Sequence, residues 1–150
     1  MTARYICCRC DTRAESSVGH HLCEAPSDIE LGNAVAQALA LDARSVVGPD
    51  GQFAGMHYGK GTAFGGYIVP ADEVWPRSTD ACHRDLAPEA LARGYRWTLS
   101  SVGDGTEYRA TFERSLGHPA PSAIDRTPAR AFARAWMRTI EAAQRAAEAA

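Results

Sequence analysis

The sequence predicts an α+β fold in which an antiparallel sheet packs with an N-terminal helix and a long C-terminal helix. Helical patterns lie near both ends of the chain, and alternating β patterns lie between them. A cluster of cysteines and histidines adds a small N-terminal zinc ribbon or knuckle to this prediction. The chain has 150 residues, 45% of them hydrophobic, so it is long enough to bury an ordinary core. No apolar run approaches the ~20 residues that span a bilayer, and no membrane partner is expected.

The predicted zinc site rests on the spacing of its ligands. Cys7 and Cys10 are two residues apart, which lets both thiolates reach one tetrahedral ion, and His20 and Cys23 repeat that spacing. His21 is an alternative to His20, and Cys8 is a substitute thiolate ligand. The simpler alternative is a set of unrelated reduced cysteines. Four ligands close the coordination shell, so the predicted Zn²⁺ is structural and not catalytic. No secretory signal pattern precedes the cysteines, which predicts a reducing cytoplasm where thiols bind metal more readily than they form disulfides.

The chain is expected to divide into a zinc-binding segment over 1–25 and an α+β domain over 26–150. The domain opens with Ser27-x-x-Glu30, a capping box for the first turn of a helix. A helix over 28–41 is predicted because apolar residues recur there at i, i+3, i+4, i+7 and i+8, namely Leu31, Ala34, Val35, Ala38 and Leu39.

Turn residues predict the β structure. Gly48-Pro49-Asp50-Gly51 predicts a hairpin between Val46-Val47 and Phe53. A second hairpin is predicted around Gly103-Asp104-Gly105, because alternating apolar residues flank it: Tyr95, Trp97 and Leu99 before it, and Tyr108, Ala110 and Phe112 after it. Between the hairpins, Ser78 or Thr79 is expected to cap a short helix, and Pro88 to begin another that Gly94 ends. The stretch 114–126 is expected to be a loop.

Thr127-Pro128 predicts the start of a long helix that ends near Ala147. Its expected buried stripe is Phe132, Ala135, Trp136, Ile140 and Ala143.

Three arginines follow a four-residue spacing on this helix, each two residues before a member of the stripe. Two residues are about 200° of helix, so we expect Arg130, Arg134 and Arg138 to point into solvent. Together with Lys60, in the glycine-rich segment 48–66, they are the candidate partner-binding residues. The simpler alternative is an ordinary solvated helix face.

Several short motifs follow one another in order after the cysteine cluster: the helix from Leu31 to Leu41, Trp75-Pro76-Arg77-Ser78-Thr79-Asp80, Gly94-Tyr95-x-Trp97, Tyr108-x-Ala110-x-Phe112, and Thr127-Pro128-Ala129-x-Ala131. With this order and spacing, the stretch 28–145 resembles the phage ABA-sandwich domain family. The resemblance implies a small α+β fold and a phage or prophage origin. It implies no catalytic residues.

No nucleophile lies in a recognisable catalytic setting, so no enzyme activity is predicted. With the resemblance, this favours a phage or prophage accessory protein that acts by binding in the cytoplasm of the host bacterium. The expected partner is a host defence protein or complex, which would make the chain an anti-CRISPR-like inhibitor of antiviral defence. Two alternatives stay open: a sponge that binds a small phosphorylated nucleotide signal, and a zinc-assisted regulator that binds nucleic acid.

Overall fold

The computed structural model describes residues 26–59, 66–115 and 120–149, together with the backbone of two short N-terminal strands. These strands, β1 (Ala3–Ile6) and β2 (Arg13–Ser16), form an antiparallel hairpin in which Ile6 lies opposite Arg13.

Two antiparallel sheets of three strands and several helices make up the rest of the described chain, which confirms the α+β class. Sheet A contains β3 (Ala43–Val47), β4 (Phe53–Tyr58) and β5 (Ile68–Pro70), in that order. Sheet B contains β6 (Arg96–Val102), β7 (Glu107–Glu113) and β8 (Ser122–Asp125), in that order. The helices are α1 (Asp28–Ala38), α2 (Thr79–Asp85), α3 (Ala87–Ala92) and α4 (Pro128–Ala149), and a 3-10 turn spans Ala71–Glu73.

Helices α1 and α4 lie between the two sheets. α1 packs on sheet A, α4 packs on sheet B, and α1 and α4 contact each other. The sequence patterns predicted a single sheet, and the difference arises because each strand pairs only with its neighbours in sequence. α2 and α3 separate the two groups of strands along the chain.

Side-chain caps define the starts of α1, α2 and α4, as the sequence predicts. The hydroxyl of Ser27 accepts a hydrogen bond from the N–H of Glu30 at 3.2 Å, and that of Ser78 accepts one from Ala81 at 3.0 Å. The hydroxyl of Thr127 accepts from the N–H of Arg130 at 3.2 Å. Each cap satisfies a backbone donor that has no partner inside its helix.

An aromatic cluster joins α4 to sheet B. The Phe132 ring lies edge-on to Phe112 with 5.1 Å between centroids, and to Trp97 with 6.0 Å. Phe112, Phe132 and Trp136 are fully buried. Burial of a side chain of this size stabilises the fold by about 1.5–3 kcal/mol. The predicted aromatic face of the second hairpin is therefore core.

Two sequence-based expectations about this region are wrong. Residues 122–125 form β8 and not a loop, because they pair with β7 from Tyr108 to Thr111. Ala143 is exposed, because the last two turns of α4 extend beyond the elements that bury Phe132 and Trp136. The helical period predicted the correct stripe, but the end of the stripe depends on where its neighbours stop.

Candidate functional site

The arginines of α4 are not on a solvent face, so that expectation is wrong. Arg134 is 6% exposed, and Arg130 is largely buried. The error lies in the assumption of a single buried stripe, because the first half of α4 is enclosed by β8 on one side and by α1 on the other. The arginines do lie on the side of α4 opposite the predicted stripe, but that side also packs against other elements of the fold.

Asp125 of β8 neutralises two of these arginines. Its carboxylate accepts hydrogen bonds from Arg130 Nε at 3.0 Å and from Arg134 Nη1 at 2.9 Å. Burial acts to raise the pKa of Asp125, but the hydrogen bond and charge of Arg130 and the bonds from Arg126 N–H and Arg134 outweigh it and lower that pKa. Arg130 also reaches Asp28 at the start of α1, with 2.5 Å between Nη1 and Oδ1. This network joins α1, β8 and α4.

The arginines also occupy the outer edge of β8. Phe112 donates its N–H to Pro121, so the alternation of an antiparallel pair places the Ser122 and Ile124 carbonyls on the side away from β7. Arg134 donates to the Ile124 carbonyl at 3.1 Å, and Arg138 donates to that of Ser122. The three side chains proposed as a partner surface therefore stabilise the body of the protein.

A groove of about 390 Å³ lies between α1 and α4. Its charged lining residues are two arginines and two glutamates: Arg134, Arg138, Glu30 and Glu141. The positive and negative charges balance, and both arginines already donate to β8. Nothing in this lining favours a phosphorylated ligand, and the nucleotide-sponge alternative stays a prediction.

The remaining predicted site residues lie outside the described residues: Cys7, Cys10, His20, His21, Cys23 and Lys60. The described strands β1 and β2 pair antiparallel on either side of residues 7–12, so Cys7 and Cys10 belong to the segment that connects them. Within the described residues, no group of three or more histidine, cysteine or acidic side chains is arranged to hold a metal ion.

Cys82 is a core residue. It is fully buried, and its thiol lies 3.4 Å from the Trp75 carbonyl oxygen. Burial raises the pKa of this thiol to about 12, so it stays protonated and is a poor nucleophile at neutral pH. His83 is equally occupied: its Nδ1 lies 2.8 Å from the Thr79 carbonyl, and its ring packs 5.4 Å from that of Phe132.

The outer face of sheet A is an exposed apolar surface that the sequence reasoning missed. Met56 and Ser45 face α1, because Met56 is fully buried and the Ser45 hydroxyl donates to the Ile29 carbonyl at 2.7 Å. Strand alternation therefore turns their neighbours outward. These outward residues form two rows across the sheet, Arg44–His57–Ile68 and Val46–Gly55–Pro70.

This apolar outer face contrasts with the outer face of sheet B. Ile68 is 52% exposed, Pro70 is exposed beside it, and Arg44 is the one charged residue in the two rows. The corresponding rows of sheet B are Thr98–Thr111–Ser122 and Ser100–Arg109–Ile124, in which Ile124 is the one apolar residue and is only 6% exposed. An antiparallel sheet with one free face ordinarily makes that face polar, so this face is a candidate binding surface. The sequence contains a signal for it, since Val46-Val47 and Ile68-Val69 put apolar residues on both faces of a strand.

No family model matches the chain, and no curated protein or solved structure is significantly similar to it. The resemblance to the phage ABA-sandwich family therefore stays a prediction. Among the helices described, none combines the length and the apolar character needed to cross a bilayer.

Proposed function

We propose that this protein acts by binding another protein through the outer face of sheet A. The exposed Ile68 and Pro70, with Val46 and His57 beside them, carry the proposal. Apolar side chains on a rigid sheet lose little conformational entropy when a partner covers them, and their burial favours association. Arg44 at the margin adds a charge that can set the orientation of an acidic partner.

The partner that we propose is a component of a bacterial antiviral defence system, as for an anti-CRISPR-like inhibitor encoded by a phage or prophage. The resemblance of residues 28–145 to a phage domain family supports this partner class, and the apolar face supports binding as the mode of action. The chain would then work in the cytoplasm of the host bacterium.

Matched substitutions test this function. Ile68→Glu places a charge at the most exposed apolar residue of this face, on the edge strand β5, whereas Leu91→Glu places the same charge on α3, where Leu91 is 56% exposed. The chain is produced in bacteria that carry a defined defence system, and the plating efficiency of a sensitive phage is measured. We expect the native chain and Leu91→Glu to restore plating and to retain the purified defence complex on an affinity column. Ile68→Glu should lose both effects.

Equal activity of the two variants would exclude the outer face of sheet A as the binding surface. Failure of the native chain to bind or inhibit any defence complex would remove the proposed partner class. Thermal unfolding of both variants provides the control for folding, since each replaces an exposed side chain and should change stability little.

We also propose that Cys7, Cys10, Cys23 and either His20 or His21 hold one structural Zn²⁺. Such a site contributes its binding free energy to folding, so a strong chelator should lower the melting temperature. Elemental analysis of the purified protein should find about one zinc per chain. Cys10→Ser should lose the metal, whereas Cys82→Ser should retain it. A metal-free native protein would exclude the site.

A further inference from the structure

We propose that strand β6 pairs antiparallel with β6 of a second copy of this chain, which joins two copies of sheet B into one continuous sheet. The proposal does not depend on the outer face of sheet A. It rests on a difference between the outer edges of the two sheets: three of them are blocked against further strand pairing, and the β6 edge is not.

Three of the four outer edges are blocked. At β3, the N–H of Ser45 donates to the side-chain carbonyl of Asn33 at 2.6 Å. At β8, Arg134 and Arg138 donate to the outward carbonyls. At β5, the strand has only three residues, and Pro70 offers no N–H. Capping groups, prolines and short strands are the common means by which proteins prevent pairing at a sheet edge.

The β6 edge has none of these features. Its seven residues contain no proline or glycine, and Arg96 at the start is the one charged residue. The register with β7 runs from Arg96 to Val102 without a shift. Such a long, regular and nearly uncharged edge strand is a template for another strand.

The hydrogen-bond pattern shows which groups this edge offers. Because Phe112 of β7 bonds toward β8, the neighbouring Thr111 and Arg109 bond toward β6, where they lie opposite Thr98 and Ser100. The intervening residues Trp97, Leu99 and Ser101 therefore direct their backbone N–H and C=O groups outward. In the described part of the chain, no other residue bonds to these groups.

A second copy of β6 fits this edge because the strand is complementary to itself. With a two-fold axis at Leu99, Leu99 pairs with Leu99 of the second copy, and Trp97 pairs with Ser101. These three hydrogen-bonded pairs supply about six backbone bonds. Arg96 lies opposite Val102 of the second copy, so no like charges oppose each other. Leu99 is 36% exposed and becomes covered by its counterpart.

Charged substitutions test the proposed β6–β6 pairing, at positions where the two copies face each other without backbone hydrogen bonds between them. Thr98 of one copy lies opposite Ser100 of the other, so Thr98→Glu with Ser100→Glu places like charges at close range across the axis. We expect sedimentation and light scattering to show a dimer for the native chain and at least about tenfold weaker dimerisation for this variant. An equimolar mixture with Thr98→Lys and Ser100→Lys should form a one-to-one heterodimer. Thr111→Glu, on the same face but on the central strand β7, should dimerise like the native chain.

Hydrogen exchange provides a second measurement that a folding defect would not mimic. In the native chain, exchange at the amides of Trp97, Leu99 and Ser101 should slow as protein concentration rises, because the pairing covers them. Thr98 and Ser100, which already bond to β7, should show no such dependence. A native chain that remains monomeric at all concentrations would overturn the proposal. So would a dimer that the Glu substitutions leave intact.

Discussion

Sheet A and sheet B each have three antiparallel strands, but they leave different parts of their surfaces open. Sheet A has an apolar outer face around Ile68, and its edges are blocked by Asn33 and by Pro70. Sheet B has a polar outer face, one capped edge at β8 and one open edge at β6. Sheet A is therefore suited to contacts through side chains, and sheet B to contacts through the backbone. The comparison shows that strand count and topology alone do not determine whether the face or the edge of a sheet is available for contact with a partner.

The largest expected effect concerns the capped edge of sheet B. Asp125→Ala removes the carboxylate that neutralises Arg130 and Arg134, and it leaves their charges in a buried setting. We expect the free energy of unfolding to fall by about 3–5 kcal/mol, measured by urea denaturation. Asp72→Ala, which removes an exposed carboxylate, should change it by less than about 0.5 kcal/mol. Similar losses for the two variants would show that the Asp125 network does not stabilise this edge.

The next effect concerns the centre of sheet A. A methyl group added at Gly55 would lie 2.2 Å from the Val69 carbonyl oxygen, and the backbone φ there is +148°. Gly55→Ala should therefore destabilise the protein by about 2–3 kcal/mol, since strain and a steric clash act together. Gly51 has a φ of +79° but no neighbour within 4 Å of an added methyl group. Gly51→Ala should therefore lower the free energy of unfolding by only about 1 kcal/mol. Equal losses in thermal unfolding would contradict the close approach of β4 and β5.

Acid should lower the stability of the protein through Asp125 at the capped edge of sheet B, with a smaller effect than removal of the carboxylate. The pKa of Asp125 is lower in the folded protein than in the unfolded chain, so its contribution to stability is fully present above the unfolded value of about 3.9. That contribution is lost as the pH falls through the lower, folded value. Urea denaturation from neutral to acidic pH should show the decline, and Asp125→Asn should reduce it. An unchanged decline in Asp125→Asn would assign it to other carboxylates.

The smallest effect concerns the protected edge of sheet A. Asn33→Ala removes the acceptor for the Ser45 N–H, but water can replace it at this exposed position, so we expect a loss of about 0.5–1.5 kcal/mol. Gln37→Ala, one turn later on the exposed side of α1, should have little effect. If the two variants unfold at the same urea concentration, Asn33 does not protect the edge.

Local chemistry determined much of the fold from the sequence alone. Ser27, Ser78 and Thr127 begin helices because their hydroxyls satisfy backbone N–H groups within three residues. Both glycine-rich turns form the predicted hairpins for the same local reason. The spacing of Cys7, Cys10, His20 and Cys23 likewise defines a zinc hypothesis without any knowledge of the fold.

Only the tertiary structure decided which surfaces are open. The arginines of α4 look exposed in a helical projection, but β8 and α1 enclose them, and contacts between distant segments leave no periodic signal in a sequence. Ile68 likewise becomes part of an apolar face only after β5 pairs with β4. The open edge of β6 depends in the same way on which strand lies beside β7. Sequence periodicity describes one element at a time, whereas an edge or a face is a property of several elements together.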